Sequence, residues 1–202
     1  MPKLPLSAVI LAGGKSSRMG ANKALLRIGA KTMLEHAAFL AGGLFEETLV
    51  IVRPGFKLPP LDLAGAVIRE DFVGARGPLA GLYTGLCHSK TRAVCALSCD
   101  MPFLDNETLN FLVNFRHEED DAVFFEDADG REHPFPGIYA RASRHWARLL
   151  LDHGSDSMRR FLQVLTSRSI LIPADKMKCL YNMNTREDYE GVFKDLCAGA
   201  AR

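Results

Sequence analysis

Short apolar runs alternate with amphipathic stretches along most of the chain. The first apolar run, residues 6–11, ends in the glycine-containing residues 12–14, which is typical of a buried strand that breaks into a loop. Thr32 and Glu35 have the spacing of a capping box, so they predict the start of a helix that continues to residues 42–43. The chain therefore begins with a strand that leads to a helix.

The same alternation continues to the end of the sequence. Further strands are predicted over residues 48–52, 66–68, 92–98, 122–125, 135–139 and 169–172. Helices are predicted over residues 79–87, 106–115 and 156–165, around Trp146, and after a cap at Thr185. This order favours an α/β fold with a doubly wound, mainly parallel sheet flanked by helices. We expect residues 1–202 to form a single domain, because a chain of 202 residues is short for two.

The overall charge and the cysteines exclude several classes of function. Lys and Arg number 25 against 24 Asp and Glu, so no broad field favours binding to nucleic acid or to an anionic membrane. The 5 cysteines include no Cys-x-x-Cys pair, and they predict neither a disulfide framework nor a zinc site. Cys95, Leu97 and Cys99 alternate along one apolar stretch, as they would on a single face of a strand. The first apolar run is too short to span a membrane and has no cleavage-site pattern, so we expect a cytoplasmic protein.

The first candidate site is the glycine-rich loop between Leu11 and Lys23. Gly13 and Gly14 allow backbone N–H groups to approach phosphate oxygens, and Arg18 and Lys23 supply positive charge. The loop matches neither the dinucleotide-binding fingerprint nor a Walker A motif. Glycine alone would fit an ordinary turn between strand and helix, but the two cations favour phosphate binding.

The second candidate site follows the strand predicted over residues 92–98. Asp100 stands just beyond it, and Pro102 prevents the strand from continuing. A carboxylate oxygen at the carboxyl end of such a strand suits Mg²⁺, which takes one or two carboxylates together with waters and substrate phosphates. Asp100 could instead cap a turn, and the loop by itself leaves both interpretations open.

These two loops together resemble the nucleotidyltransferases that join an NTP to a phosphorylated acceptor. The residues that carry the resemblance are Arg18 and Lys23 in the first loop and Asp100-Met101-Pro102 in the second. Residues 11–14, Leu-Ala-Gly-Gly, are especially similar to the molybdenum cofactor guanylyltransferases, because relatives acting on sugar phosphates or on the cytidylyl cofactor usually have alanine in place of Gly13. Further motifs in the order expected of that family are Asp71, Gly77-Pro78-Leu79-Ala80-Gly81, His133-Pro134 and Asn182-Met183-Asn184-Thr185.

The resemblance implies a Rossmann-like fold of the nucleotide-diphospho-sugar transferase type and a role for particular residues. It implies a nucleotide site formed by Leu11, Ala12, Gly13, Gly14, Lys23, Asp71, Gly81 and Asp100. Arg18 would bind the leaving pyrophosphate and Lys23 the α-phosphate, while Asp100 would contact the nucleotide and hold Mg²⁺. Asn182 and Asn184 would bind the acceptor. A further nucleotide contact, near Val52 and Arg53, stays unassigned.

The reaction implied is transfer of GMP from GTP to the terminal phosphate of molybdopterin or molybdenum-molybdopterin, with release of pyrophosphate. Molybdenum-cofactor delivery proteins are then candidate partners. Two alternatives remain open at this point. One is a cytidylyltransferase or sugar-phosphate nucleotidyltransferase that uses the same phosphate site, and the other is a non-catalytic GTP-binding accessory or sensor module.

Overall fold

A central β-sheet with helices on both faces organises the protein. The computed structural model describes residues 2–13, 22–73 and 77–199, with side chains as far as residue 192. In these ranges the strands are β1 (Leu4–Leu11), β2 (Arg27–Ile28), β3 (Lys31–Thr32), β4 (Phe45–Val52), β5 (Val67–Glu70), β6 (Ala93–Ser98), β7 (Ala122–Glu126), β8 (Glu132–Ala140) and β9 (Ser167–Leu171). The α-helices are α1 (Met33–Leu44), α2 (Gly77–His88), α3 (Asn106–Asn114), α4 (Arg144–Asp152), α5 (Met158–Gln163) and α6 (Arg186–Gly199). Short 3₁₀ helices cover Lys23–Leu25, Arg141–Ser143 and Ala174–Leu180.

The strand order places β1 at a change of direction in the sheet. Within the described ranges the main sheet has 7 strands in the order β5-β4-β1-β6-β8-β7-β9, and β8 alone runs antiparallel to its neighbours. The chain moves outward from β1 through β4 to β5 and then returns to add β6 on the other side of β1. Leu11 pairs with Ile51 on one side and Ser98 on the other. Ligands of open α/β sheets bind at such a point, beyond the carboxyl ends of the strands.

The capping box predicted for α1 is present, and α3 also begins with a side-chain cap. In the capping box of α1, Glu35 N donates to Thr32 Oγ1 at 3.2 Å and Thr32 N donates to Glu35 Oε2 at 2.8 Å. Thr108 N donates to Asp105 Oδ1 at 2.7 Å at the start of α3. Each side chain satisfies a backbone N–H that has no partner within its own helix. These caps confirm the predicted starts of α1 and α3. The strand order confirms the doubly wound, mainly parallel sheet predicted from the sequence.

Two segments in the second half of the chain differ in detail from the sequence-based prediction. β8 begins at Glu132, three residues before the predicted start, because its polar first residues pair with β7: His133 with Phe125 and Glu132 with Glu126. Pro134 and Pro136 interrupt any alternation that would have revealed this extension. The 3₁₀ helix over Ala174–Leu180 was also not predicted, since short 3₁₀ segments carry little periodic signal.

Both faces of the sheet are covered by apolar side chains. Along β6, Cys95 and Leu97 point into the core layer that contains α1 and α3, whereas Val94 and Ala96 face the layer that contains α2 and α5. Burial on both faces explains why β6 is a continuous apolar run. Burial also raises the pKa of the Cys95 thiol to about 12, so Cys95 is an inert core residue. Among the described residues, none of the helices has the length and apolar character needed to cross a membrane.

Candidate active site

A cavity of about 470 Å³ opens where β1, β4 and β6 end. It brings together the predicted nucleotide-site residues that lie within the described ranges. These are Leu11, Ala12, Gly13, Lys23, Asp71, Gly81 and Asp100. Gly14 and Arg18 were also predicted for this site, and both lie outside the described residues.

Backbone hydrogen bonds fix the loops that leave the strands. Ala12 N donates to Ile51 O at 2.9 Å, and Asp71 N donates to Val52 O at 2.8 Å. Ala12 directly follows β1 and Asp71 directly follows β5, so each bond extends the parallel pairing by one residue beyond the strand. The positions of Ala12 and Asp71 at the cavity are therefore set by the sheet itself.

Two glycines at the cavity allow neighbouring segments of the chain to pack closer than a side chain would permit. A Cβ atom on Gly13 would lie 3.2 Å from Arg53 N, and one on Gly81 would lie 3.0 Å from Leu11 Cδ2. The first contact is with backbone, so a side chain at position 13 would push the backbone at this position away from Arg53 at the end of β4. The second lets α2 pack closely against β1, which brings the first turn of α2 to the cavity wall. Backbone N–H groups at such a helix start favour anions.

The carboxylate of Asp71 is held at the end of β5. Its side chain is buried, and Asp71 Oδ1 accepts hydrogen bonds from Val73 N at 2.9 Å and from Thr84 Oγ1 at 3.0 Å. Thr84 belongs to α2, so Asp71 links the strand end to this helix. These bonds orient the carboxylate before any ligand binds.

Lys23 connects three segments that are distant in sequence. Lys23 Nζ donates to Asn184 Oδ1 at 2.7 Å and lies 3.5 Å from Asp100 Oδ2. Met183 N donates to Asp100 O at 2.9 Å, and the hydroxyl of Ser98 donates to Asp100 Oδ1. In the described part of the chain, the Asp100 carboxylate thus contacts side chains and caps no turn. Lys23, Asp100 and Asn184, from three separate parts of the sequence, therefore meet at one end of the cavity.

The two asparagines differ in their surroundings. Asn184 contacts Lys23, whereas Asn182 Nδ2 turns back to donate to Leu180 O at 3.2 Å. Asp188 Oδ2 accepts from the backbone N–H groups of Asn184 at 2.7 Å and Thr185 at 2.8 Å. The segment is therefore a hydrogen-bonded turn, and Asn184 is the asparagine that contacts Lys23 beside the cavity.

A cysteine at the cavity wall is excluded as a nucleophile. Burial, reinforced by the negative charge of Asp100, raises the pKa of the Cys99 thiol to about 12. The thiol is therefore protonated near neutral pH, and a protonated thiol is a poor nucleophile.

Several lining residues were not assigned from the sequence. Asn22, Ser98 and Phe135 all line the cavity, as do Val52 and Arg53, between which the sequence left a contact open. Phe135 comes from β8, which lies next to β6 in the sheet although it is distant in sequence. Arg53 directly follows an apolar strand, and this position in the sequence could have identified it as a residue of the site.

One carboxylate at this end of the cavity has the chemistry of a magnesium ligand. In the described ranges, no group of three or more His, Cys, Asp or Glu side chains is arranged to hold a metal by protein ligands alone. Mg²⁺ does not require such a group, because it keeps several waters and takes further oxygens from substrate phosphates. Asp100, with 17% of its side chain exposed, is accessible for this role.

Comparison with known proteins shows the family of this chain. A family model described as the MobA-like NTP transferase domain matches residues 8–169. The chain belongs to this family. A probable molybdenum cofactor guanylyltransferase from Mycobacterium avium (strain 104) is 31% identical over 192 residues, which cover 92% of this chain and 93% of the relative.

Solved structures show the same fold. Molybdopterin-guanine dinucleotide biosynthesis protein A from Archaeoglobus fulgidus has a TM-score of 0.80 at 18% identity and covers 96% of this chain and 100% of its own. The 2-C-methyl-D-erythritol 4-phosphate cytidylyltransferase from Thermus thermophilus has a TM-score of 0.72, also at 18% identity, and covers 95% of this chain and 99% of its own. This likeness to a cytidylyltransferase shows a shared fold only, and it does not indicate that the chain transfers a cytidylyl group. Membership of the family makes the chain a nucleotidyltransferase and sets aside the non-catalytic alternative.

Proposed function

We propose that the protein transfers GMP from GTP to the terminal phosphate of molybdopterin or molybdenum-molybdopterin and releases pyrophosphate. The observation that carries the proposal is the contact of Lys23 with both Asp100 and Asn184, at the end of a cavity lined by the predicted nucleotide residues. Relatives named for guanylyl transfer, which match nearly the whole chain, support the choice of donor and acceptor.

The proposed reaction is a direct displacement at phosphorus. A terminal phosphate oxygen of the acceptor forms a bond with the α-phosphorus of GTP, and the bond from that phosphorus to the bridging oxygen of the β-phosphate breaks. The electron pair leaves with pyrophosphate. The nucleophile is already an anion, so the reaction needs neither a general base nor an enzyme nucleophile. The protein's task is to align two anionic reactants and to offset their repulsion.

Specific residues are proposed for each part of this task. Lys23 places its charge at the α-phosphate, and Arg18 is assigned to the leaving pyrophosphate from its place in the glycine-rich loop. Asp100 would hold Mg²⁺, which when bound neutralises charge on phosphate oxygens. Asp71 and the backbone at Gly13 form the nucleotide side of the cavity, while Asn184 faces the acceptor side.

The experiment that tests this function offers the purified protein four NTPs, with Mg²⁺ and with or without molybdopterin. We expect pyrophosphate release that requires GTP and acceptor together and falls sharply when Mg²⁺ is chelated. Preferential use of CTP or UTP would contradict the guanylyl assignment. Tight GTP binding without pyrophosphate release would contradict catalysis by this chain. Transfer of the product to a molybdenum-cofactor delivery protein stays a separate proposal.

A further inference from the structure

A second cavity, of about 620 Å³, lies against the start of α6. Two aromatic side chains, Phe103 and Tyr181, line it together with Lys178, His133 and Glu187. The phosphate chemistry proposed above uses none of these five side chains. The second cavity is therefore available to bind another part of a substrate.

Two short stretches of chain join this cavity to the phosphate end of the first one. Phe103 follows Asp100 by three residues, and Tyr181 precedes Asn184 by three residues. Three residues of fully extended chain span at most about 11 Å, so each aromatic residue is near its counterpart at the active site. The hydrogen bond from Met183 N to Asp100 O, 2.9 Å long, ties the two stretches together.

Strand β8 makes a third connection between the two cavities. His133 lines the second cavity, and Phe135, two residues further along β8, lines the first. His133 Nε2 lies 2.9 Å from Asp127 Oδ2, which holds the imidazole in place. A ligand that occupies the second cavity therefore lies beside the acceptor end of the active site.

The lining of the second cavity suits a flat heteroaromatic ring. The centroids of the Phe103 and Tyr181 rings are 6.1 Å apart with the planes tilted by 56°, and Lys178 Nζ lies 4.2 Å from the Phe103 centroid. Aromatic side chains offer stacking faces to planar rings. Glu187, in the first turn of α6, places a carboxylate acceptor at the wall, where it can accept hydrogen bonds from ring N–H groups.

We propose that this second cavity binds the pterin ring system of the acceptor while the acceptor's phosphate reaches Lys23 and Asn184. The inference rests on the proposed function, because that function supplies a substrate with a pterin at one end and a phosphate at the other. A pterin presents a planar face that can stack on one ring of the tilted Phe103–Tyr181 pair, and an edge of N–H donors for Glu187. The nucleotide occupies the first cavity and the pterin the second, so donor and acceptor reach Lys23 from different cavities.

Direct binding of a small probe tests the location. The fluorescent compound pterin (2-amino-4-oxopteridine) is titrated into the wild-type protein, first alone and then with GTP and Mg²⁺ at saturation. We expect the two ligands to bind together, because they occupy different cavities. Displacement of pterin by GTP would place pterin in the first cavity and overturn the proposal, as would the absence of pterin binding at concentrations up to its solubility limit.

Matched substitutions locate the binding site more closely. Phe103→Leu and Tyr181→Leu keep an apolar side chain but remove the stacking face, and each is expected to weaken pterin binding by about tenfold or more. Phe39→Leu is the control. Phe39 is exposed and, like Phe103, has a lysine over its ring, with Lys31 Nζ at 3.3 Å, but it lines neither cavity. Unchanged pterin affinity in both cavity variants would overturn the proposal.

Transfer kinetics separate this inference from the proposed function. If wild type transfers GMP to molybdopterin, Phe103→Leu should raise the KM for molybdopterin and leave the KM for GTP unchanged. An unchanged acceptor KM with normal transfer would overturn the pterin site alone, whereas failure of wild-type transfer would overturn the function. If Phe103→Leu unfolds, Glu187→Gln gives the same readout at an exposed position, and no change in its acceptor KM or pterin affinity would count against the site.

Discussion

At the scale of single residues, the proposed active site contains a carboxylate and an ammonium group held close together. Lys23 Nζ lies 3.5 Å from Asp100 Oδ2, and both side chains are mostly shielded from water, with 18% and 17% exposed. Each group satisfies the other's charge in the absence of substrate. Substrate phosphates and Mg²⁺ would take over these partners, so both residues are positioned before the reactants bind.

The first prediction concerns the negative charge of Asp100. Asp100→Asn keeps the size of the side chain and an oxygen for the hydrogen bond from Ser98, but removes the charge that Mg²⁺ requires. We expect transfer to fall by at least about 100-fold, the loss typical when a charge-stabilising group is removed from an active site. Thermal unfolding should change little. Near-normal Mg²⁺-dependent transfer by a folded variant would remove Asp100 as the principal metal ligand.

A second prediction separates the active site from the core. Lys23→Ala should reduce the rate of transfer far more than the thermal stability, because its charge acts on the phosphates. Cys95→Ser should instead lower the free energy of unfolding by about 1–3 kcal/mol, because it places a hydroxyl at a fully buried position in β6. The measurements are denaturant unfolding and kcat for each folded variant. Equal losses of stability with unchanged kcat in both variants would contradict this division.

The two asparagines give a third prediction, in which one is the control for the other. Asn184→Ala should raise the KM for molybdopterin with little change in GTP affinity, and it should also lower kcat because Lys23 loses a partner. Asn182→Ala should have a smaller effect, since its amide bonds to Leu180 O within its own turn. Separate titrations of GTP and acceptor measure both. Weakened GTP affinity alone in either variant would assign this segment to the nucleotide site.

At the scale of secondary-structure elements, local sequence signals were sufficient for most of the chain. The capping box of Thr32 and Glu35 located α1, and continuous apolar runs located β1 and β6, because both signals depend on neighbours in sequence. β8 was placed too late because the bonds that extend it come from β7 and leave no alternation of polar and apolar residues. Long-range pairing, rather than local propensity, decides such segments.

The start of α6 gives a prediction about acid stability. The hydrogen bond from the Tyr181 hydroxyl to Asp188 Oδ1, 2.7 Å long, lowers the pKa of Asp188, and backbone N–H groups of Asn184 and Thr185 add to the effect. A carboxyl whose folded pKa lies below its unfolded value stabilises the fold above the unfolded pKa, and this contribution is lost as pH falls below about 4 towards the folded pKa.

We therefore expect Tyr181→Phe to lose part of this pH dependence while keeping the ring. The melting temperature of wild type and variant should differ near pH 7 and converge as pH falls below about 4. Asp188→Asn, which cannot titrate, is the control and should show the flattest profile of the three. A Tyr181→Phe deficit that stays constant across this range would show that Asp188 is not the group responsible.

At the scale of the whole molecule, the site arises from the order of strands in the sheet. β4 and β6 flank β1 and run parallel to it, so the loops that carry Gly13, Arg53 and Asp100 all begin at the same edge of the sheet. The sequence predicted these loops one at a time from glycine, charge and position after apolar runs. It could not predict that Lys23 contacts Asn184, a residue 161 positions away, nor a second cavity built from distant segments.

The central claim is that one protein binds GTP and a phosphorylated acceptor and joins them directly. The most direct measurement supplies GTP labelled with ³²P at the α-phosphate, together with molybdopterin and Mg²⁺, and follows where the label goes. We expect the label to appear in a guanylylated pterin product, in amounts equal to the unlabelled pyrophosphate released. Label recovered only as unreacted GTP, or as GMP or GDP free of the pterin, would contradict it.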